Sequence, residues 1–507
     1  MLKAEALILL VNSLTKSEKK SFKTVSKPSD YLDLFDLIEK NRDIAIEELR
    51  YQFSEKKPKS NFDITCSYLY KLLLDTLLSL RESQDNVTAM MNQLLKARIL
   101  FDKLLFEEAV NLLKQVKEKA ILYENEYIFL YASRLELEYL LFLNFPYISE
   151  TDLLNKHLRI NESLKRIRRV NEQSVLYELM KHRGLYKDNI RSKIQKDTFN
   201  DLLVSEMSLV SSSNANSFEI KKLHQLFQSA YLISVGDYKS ALHSYYELNK
   251  LFEENKHLWA NPPIYYLTVL EGILDSLRGI KEYDSIPFFL EKLEAIDNVS
   301  VNFQANVSAL TFLYKLFPLL DRGNFQASKN LMEEYKEAVI EKVHLLSLTR
   351  QAEISLYVSL IHFVLRDYKL AQKSILRVLT QSKSFYYLPL YRTIRLVNLM
   401  IQNELGHLSD FEYEIRSIKR EISKIQKAYK VEHLMLKTLS KLAKGIFFHQ
   451  REKEWLKIQG DIQAIQNDVF EMQILKLFDF SAWIESKIRN ISLSKVLQDR
   501  TLNGDSA

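Results

Sequence analysis

Residues 236–250 read GDYKSALHSYYELNK, and this stretch decides the fold. Gly236-Asp237-Tyr238 predicts a tight turn closing one helix. Ala241, Tyr245 and Leu248 then recur at spacings of four and three, on one face of the next helix. A small residue at 241 lets two helices approach closely, and the larger Tyr245 and Leu248 fill the seam below it. The same pattern returns at 366–378, RDYKLAQKSILRV, with Tyr368 and Ala371, and at 104–116, LLFEEAVNLLKQV, with Phe106 and Ala109.

Weaker copies stand at Gly184-Leu185-Tyr186, Glu282-Tyr283, Gly323-Asn324-Phe325 and Gly406-His407-Leu408. The steps between anchors 238, 283, 325, 368 and 408 are 45, 42, 43 and 40 residues. The longer gap between 106 and 186 accommodates two units if Tyr147, in NFPYIS, marks a further turn. Pro389 predicts a helix start, Ser149 with Asp152 a capped one, and Pro318 the end or a kink of the helix that contains it.

These residues resemble the second half of a tetratricopeptide unit, Gly-x-Tyr-x-x-Ala-x-x-x-Tyr. The spacing of 40 to 45 exceeds the usual 34 and implies longer helices. The resemblance implies a right-handed superhelical α-solenoid of antiparallel helix pairs, because such units bury their apolar faces only by stacking, and it implies a concave binding surface. Members that grip a C-terminal carboxylate place Lys and Asn before the turn. Here those positions are Leu226 and Ala230, Leu313 and Phe317, and Leu396 and Met400, so an apolar guest or a closed groove is expected instead.

Composition agrees with an all-α chain. Its 507 residues contain 9 Gly and 8 Pro, where average usage gives about 35 and about 25. The expected organisation is an N-terminal helical bundle over 1–80, a first repeat block over 81–210, an inserted loop at 211–217, a second block over 218–490 and a flexible tail over 491–507. The bundle serves as a cap or as a helix-turn-helix-like domain. One cysteine, Cys66, excludes an intramolecular disulfide and suggests a reducing, cytoplasmic setting. Neither a cleavable leader nor a membrane span is expected.

Catalytic motifs do not emerge. There is no GxxxxGK[ST], GxGxxG or HExxH, and none of the ten histidines lies four residues from another. Glu47-Glu48 and Glu253-Glu254 are adjacent pairs that point apart on a helix. No cofactor, no metal and no enzymatic activity are expected.

Charge is uneven. Residues 156–196 hold twelve Lys and Arg against four acids, Arg166, Arg168 and Arg169 among them, and 415–444 hold nine against two. Arg416, Lys419, Arg420, Lys424 and Lys427 follow a three-four spacing and form one stripe suited to an anion or an acidic partner. The leading expectation is a non-enzymatic scaffold binding a peptide or protein in its concave face. The alternative is a transcription regulator whose first 80 residues bind nucleic acid and whose repeats sense a ligand or partner.

Overall fold

At Gly236 one turn both ends a helix and starts the next. Gly236 has φ +80°, its N–H donates to the Ile233 carbonyl, and the Asp237 N–H donates to the Leu232 carbonyl at 2.9 Å. The Asp237 carboxylate then accepts from the Ser240 N–H at 3.1 Å. This is the Schellman closure, which satisfies carbonyls that a helix end otherwise leaves open. The same residue that completes the closure caps the following helix.

The closure recurs through the chain. Leu105, Asn125, Phe145, Glu282, Asn324, Asp367 and His407 each donate to a carbonyl five residues back, at 2.7 to 3.0 Å. Gly323 and Gly406 take the left-handed position at φ +70° and +71°, whereas Leu104, Glu124, Asn144, Lys281 and Arg366 hold it with side chains, at φ between +48° and +66°. A non-glycine residue there costs about 1–2 kcal/mol, which the closing hydrogen bonds offset.

A computed structural model describes the chain except residues 1–2, 26–28, 42–43, 83–84, 187–198, 212–216, 260–262, 297–299, 381–382, 408–410, 426–427, 445–450 and 505–507. All regular structure among the described residues is helical. The chain divides into two units, Met1–Arg169 with His257–Pro263 and Asn298–Gln304, and Val170–Lys256 with Ile264–Asp297 and Ala305–Ala507.

In the first unit, α1 (Lys3–Ser13), α2 (Lys16–Val25), α3 (Asp30–Lys40), α4 (Ile46–Lys56) and α5 (Phe62–Arg81) form a bundle. Thr15 and Glu18 make a reciprocal capping box at the start of α2. Leu7, Val11, Phe35, Ile38, Phe53 and Leu69 belong to the bundle core. Cys66 is buried in the same core, and burial pushes its thiol up to about 12, which makes it a poor nucleophile. Next come α6 (Asn86–Asp102), α7 (Phe106–Leu122) and α8 (Glu126–Phe142). Their shared core holds Met90, Leu94, Ala97, Ala109, Leu113, Val116 and Ala132.

The helix α9 (Glu150–Tyr186) runs for 37 residues, starting at the Ser149–Asp152 capping pair. It overturns the expected turn at Gly184. Open space surrounds that glycine, and the helix passes through it because a single glycine costs only about 1 kcal/mol.

The second unit continues with α10 (Asn200–Ser211), α11 (Phe218–Ser234), α12 (Tyr238–Glu254), α13 (Ile264–Gly279), α14 (Ile286–Glu294), α15 (Val301–Asp321, of which it holds Ala305 onward), α16 (Phe325–Glu334), α17 (Leu348–Val364), α18 (Tyr368–Thr380) and α19 (Leu390–Leu405). Ala241 and Ala371 are fully buried, and Tyr238 and Tyr245 nearly so. The two tyrosines lie flat on glycines of the next helix, Tyr238 on Gly279 and Tyr245 on Gly272, where a Cβ would stand 2.3 and 2.1 Å from the rings. This pairing, with Phe252 stacked on Tyr266 at 5.8 Å, shows that α12 and α13 run antiparallel. Tyr368 packs on Phe363 at 5.7 Å.

Pro318 interrupts less than expected. It sits in the last turn of α15, which continues to Asp321.

The chain ends with α20 (Phe411–Ile425), α21 (Lys430–Ala443), α22 (Arg451–Gln466), α23 (Met472–Leu475), α24 (Phe480–Arg489) and α25 (Leu493–Gly504). Phe480, Trp483 and Ile484 are fully buried. The stretch expected to be a flexible tail is largely helical: α25 buries Val496 and Leu497, and the Ser494 hydroxyl donates to the Gly323 carbonyl at 2.7 Å. Most of the expected loop at 211–217 lies outside the described residues.

Candidate functional site

The helix α13 reads IYYLTVLEGILDSLRG, and within this apolar run Glu271, Asp275 and Arg278 fall at spacings of four and three. They share a face, and in the second unit that face meets the segment Asp468–Leu477. Lys476 Nζ lies 2.8 Å from both Asp275 carboxylate oxygens and 4.4 Å from the Tyr238 ring centroid. Arg278 Nη2 donates to the Lys476 carbonyl. Gln473 Nε2 donates to the Ser234 carbonyl at 2.6 Å, and Val469 lies over Gly236. Glu471 accepts from the Lys430 and Val431 N–H groups at the start of α21. The polar face of α13 and the turn at Gly236 are therefore covered by a later segment of the same chain.

Arg278 is almost fully buried. Its guanidinium lies 3.4 Å from the Phe317 centroid, Nη1 donates to the Tyr357 hydroxyl at 3.3 Å, and Nε stands 3.7 Å from Asp321. Burial opposes its charge, but Tyr357 and Asp321 outweigh that and raise its pKa. Burial raises Asp321 and Glu353 above the usual carboxylate value despite neighbouring arginines. Lys476 is opposed by burial as well, yet Asp275 holds it charged.

Beside the covering segment lies a cavity of about 430 Å³, with Lys181, Tyr238, Tyr245, Arg278, Tyr314 and Phe317 among its lining residues. A second cavity of about 680 Å³ also borders Arg278, together with Asp321, Gln463, Asp479 and Arg500.

The first unit presents a different surface. On α6, Val87, Met91, Leu95 and Ile99 are exposed at a spacing of four, and on α8 so are Tyr127 and Tyr131. Both helices pack on α7, and Phe101 at the end of α6 stacks on Tyr139 near the end of α8 at 3.7 Å. The hairpin turns at Leu104 and Glu124 make α6 and α8 run in one direction. That register sets Val87 and Met91 at about the height of Tyr127 and Tyr131 along the two helices, both of which expose apolar groups.

The basic zones are partly paired. Lys156 contacts Glu136 at 3.1 Å, Arg166 contacts Glu126, and Arg183 contacts Asp201 at 2.7 Å. Arg168 and Arg169 are exposed on α9. Arg416, Lys419 and Arg420 are exposed on α20, where Arg416 Nε donates to the Glu412 carbonyl. The side chain of Lys424, all of Lys427, and Lys187, Arg191, Lys193 and Lys196 lie outside the described residues.

The outer face of α5, where a recognition helix would meet phosphates, exposes Lys71 against Asp63 and Asp75, with Ile64, Tyr68, Leu74 and Leu78 around them. Among the described residues, no group of His, Cys, Asp and Glu is placed to hold a metal ion, and no helix is long and apolar enough to cross a membrane. No family model and no curated protein matches the chain.

Proposed function

We propose that the chain is a non-enzymatic helical-repeat scaffold, its hairpins stacked as a tetratricopeptide-like solenoid, that binds an amphipathic helix of a protein partner on the first unit. The observation that carries this reading is the exposed apolar surface of Val87, Met91, Leu95 and Ile99 with Tyr127 and Tyr131. Exposed apolar surface of this kind marks interaction sites, and parallel helices with a four-residue stripe form a groove suited to an apolar helix face.

The second unit holds a crossing segment of its own chain in a way that supports this reading. Its side chains bind the main chain of the crossing segment through Arg278 and bridge to it again through Gln473 and Ser234. The partner's body then meets a surface of mixed charge, with Arg98, Arg134 and Glu138 exposed at the edge of the stripe.

The test compares affinity-purified wild type with the double variant Met91→Glu, Tyr131→Glu from the native cell by quantitative mass spectrometry. A protein retained by wild type and lost from the variant, with the variant's melting temperature unchanged, supports the reading. Identical recoveries contradict it.

A further inference from the structure

We infer that the cavity of about 430 Å³ in the second unit is a binding site for a small organic anion, a carboxylate or phosphate ester on an aromatic body, held by Lys181 and Arg278. Its volume lies within the roughly 300–1,000 Å³ of small-molecule pockets, which are mostly apolar with a few convergent polar groups.

The charges on its wall do not cancel. Asp275 is engaged by Lys476, Glu432 by Arg392 at 2.8 Å, and Glu353 by Arg350. Glu271, the other carboxylate near Lys181, is held by Arg350 as well. Among the described residues, Lys181 has no carboxylate within the 4.0 Å of an ion pair; its ammonium lies 5.6 Å from the Tyr177 ring centroid.

Arg278 supplies an independent observation. It is 4% exposed, and its Nε–H is buried with no hydrogen-bond acceptor, since Asp321 at 3.7 Å is near enough to attract it but too far to accept. Leaving a charged donor unsatisfied is costly. An oxyanion in the cavity supplies a counter-charge to Lys181 and to the Arg278 guanidinium, both of which line it. Tyr238, Tyr245, Tyr314 and Phe317 on the same wall offer ring faces and edges to a planar body. Lys181 is solvent-exposed on α9, and desolvation lowers its pKa although Glu271 and Asp275 act to raise it.

Isothermal titration of the full chain with benzoate and with phenyl phosphate tests the site, with benzyl alcohol, benzylamine and inorganic phosphate as the neutral, cationic and body-less controls. Saturable binding of benzoate or phenyl phosphate, and not of benzyl alcohol or benzylamine, is expected. The better of the two identifies the anion as carboxylate or phosphate. Lys181→Gln should weaken it at least about tenfold, the worth of one charge-assisted hydrogen bond. Ala230→Trp, which fills the cavity from α11, should abolish it and serves as a second variant should Lys181→Gln fail to fold. Equal binding of benzyl alcohol, binding that survives Ala230→Trp, inorganic phosphate matching phenyl phosphate, or no binding of either aromatic anion overturns the proposal.

Discussion

Lys476 Nζ lies 2.8 Å from both carboxylate oxygens of Asp275, joining positions 201 residues apart in sequence. The pair is largely shielded, with 14% and 26% of the two side chains exposed. It pins the covering segment against α13. Exposed ion pairs are worth about 0–1 kcal/mol, whereas breaking a buried pair costs about 3–5 kcal/mol because one charge is stranded.

Lys476→Met and Asp275→Asn should each cost about 2–3 kcal/mol in chemical denaturation, between these limits. The double variant should cost less than the two together, because neither charge is then left alone. Strict additivity would show that the two groups do not meet.

Glycines in this chain should respond in opposite ways to the same change. Gly272→Ala and Gly279→Ala drive a methyl into the rings of Tyr245 and Tyr238, so overpacking of about 1–3 kcal/mol exceeds the helical gain of about 1 kcal/mol. Gly460→Ala, also in a helix but with nothing within 4 Å of the added carbon, should raise stability by about 0.5–1 kcal/mol. Thermal melts of the three variants check the expected split in sign.

The glycine turns were the legible part of the fold. Gly236, Gly323 and Gly406 mark left-handed closures that a reader of sequence can anticipate. The closures at Leu104, Glu124, Asn144, Lys281 and Arg366 carry the same geometry on ordinary residues, and there only the spacing of Phe106, Tyr283 and Tyr368 betrays it. Gly184 misleads for the complementary reason, since a glycine inside a long helix looks locally like one that ends it. Gly272 and Gly279 serve ring contact with α12, and spacing within α13 does not disclose their partners.

The polar cluster on α13 in the second unit was less legible. Glu271, Asp275 and Arg278 in an apolar helix are a local signal that some polar partner must meet them. Their partner Lys476 belongs to a segment with no repeat signature, so sequence periodicity does not bring the two together. The apolar positions Leu313, Phe317, Leu396 and Met400 were readable as lacking a carboxylate clamp, and all of them are buried.

Acid should loosen the end of the second unit through Glu454. Hydrogen bonds from Lys441 and Lys457 hold its carboxyl down from the usual 4.5 to about 2. A depressed carboxylate contributes stability that is present above its unfolded value and is lost as pH falls through the folded one. The loss therefore falls between about pH 4.5 and pH 2. Glu454→Gln should lower stability at pH 7 and flatten the fall over that window, measured by denaturant midpoints at stepped pH. A wild-type and variant difference that stays constant from pH 7 to pH 2 would exclude this pair as a cause.

The central claim is that the α6 and α8 surface of the first unit is where a partner helix lies. A photo-crosslinking residue, benzoylphenylalanine, placed at Met91 or Tyr131 in the full chain and irradiated in the native cell tests it most directly, with the same residue at Leu376, an exposed apolar position on α18, as control. The account predicts one protein adduct shared by positions 91 and 131 and missing at 376, its crosslinked peptide carrying apolar residues at helical spacing. Adducts equally distributed over all three positions, or none at 91 and 131, would contradict it.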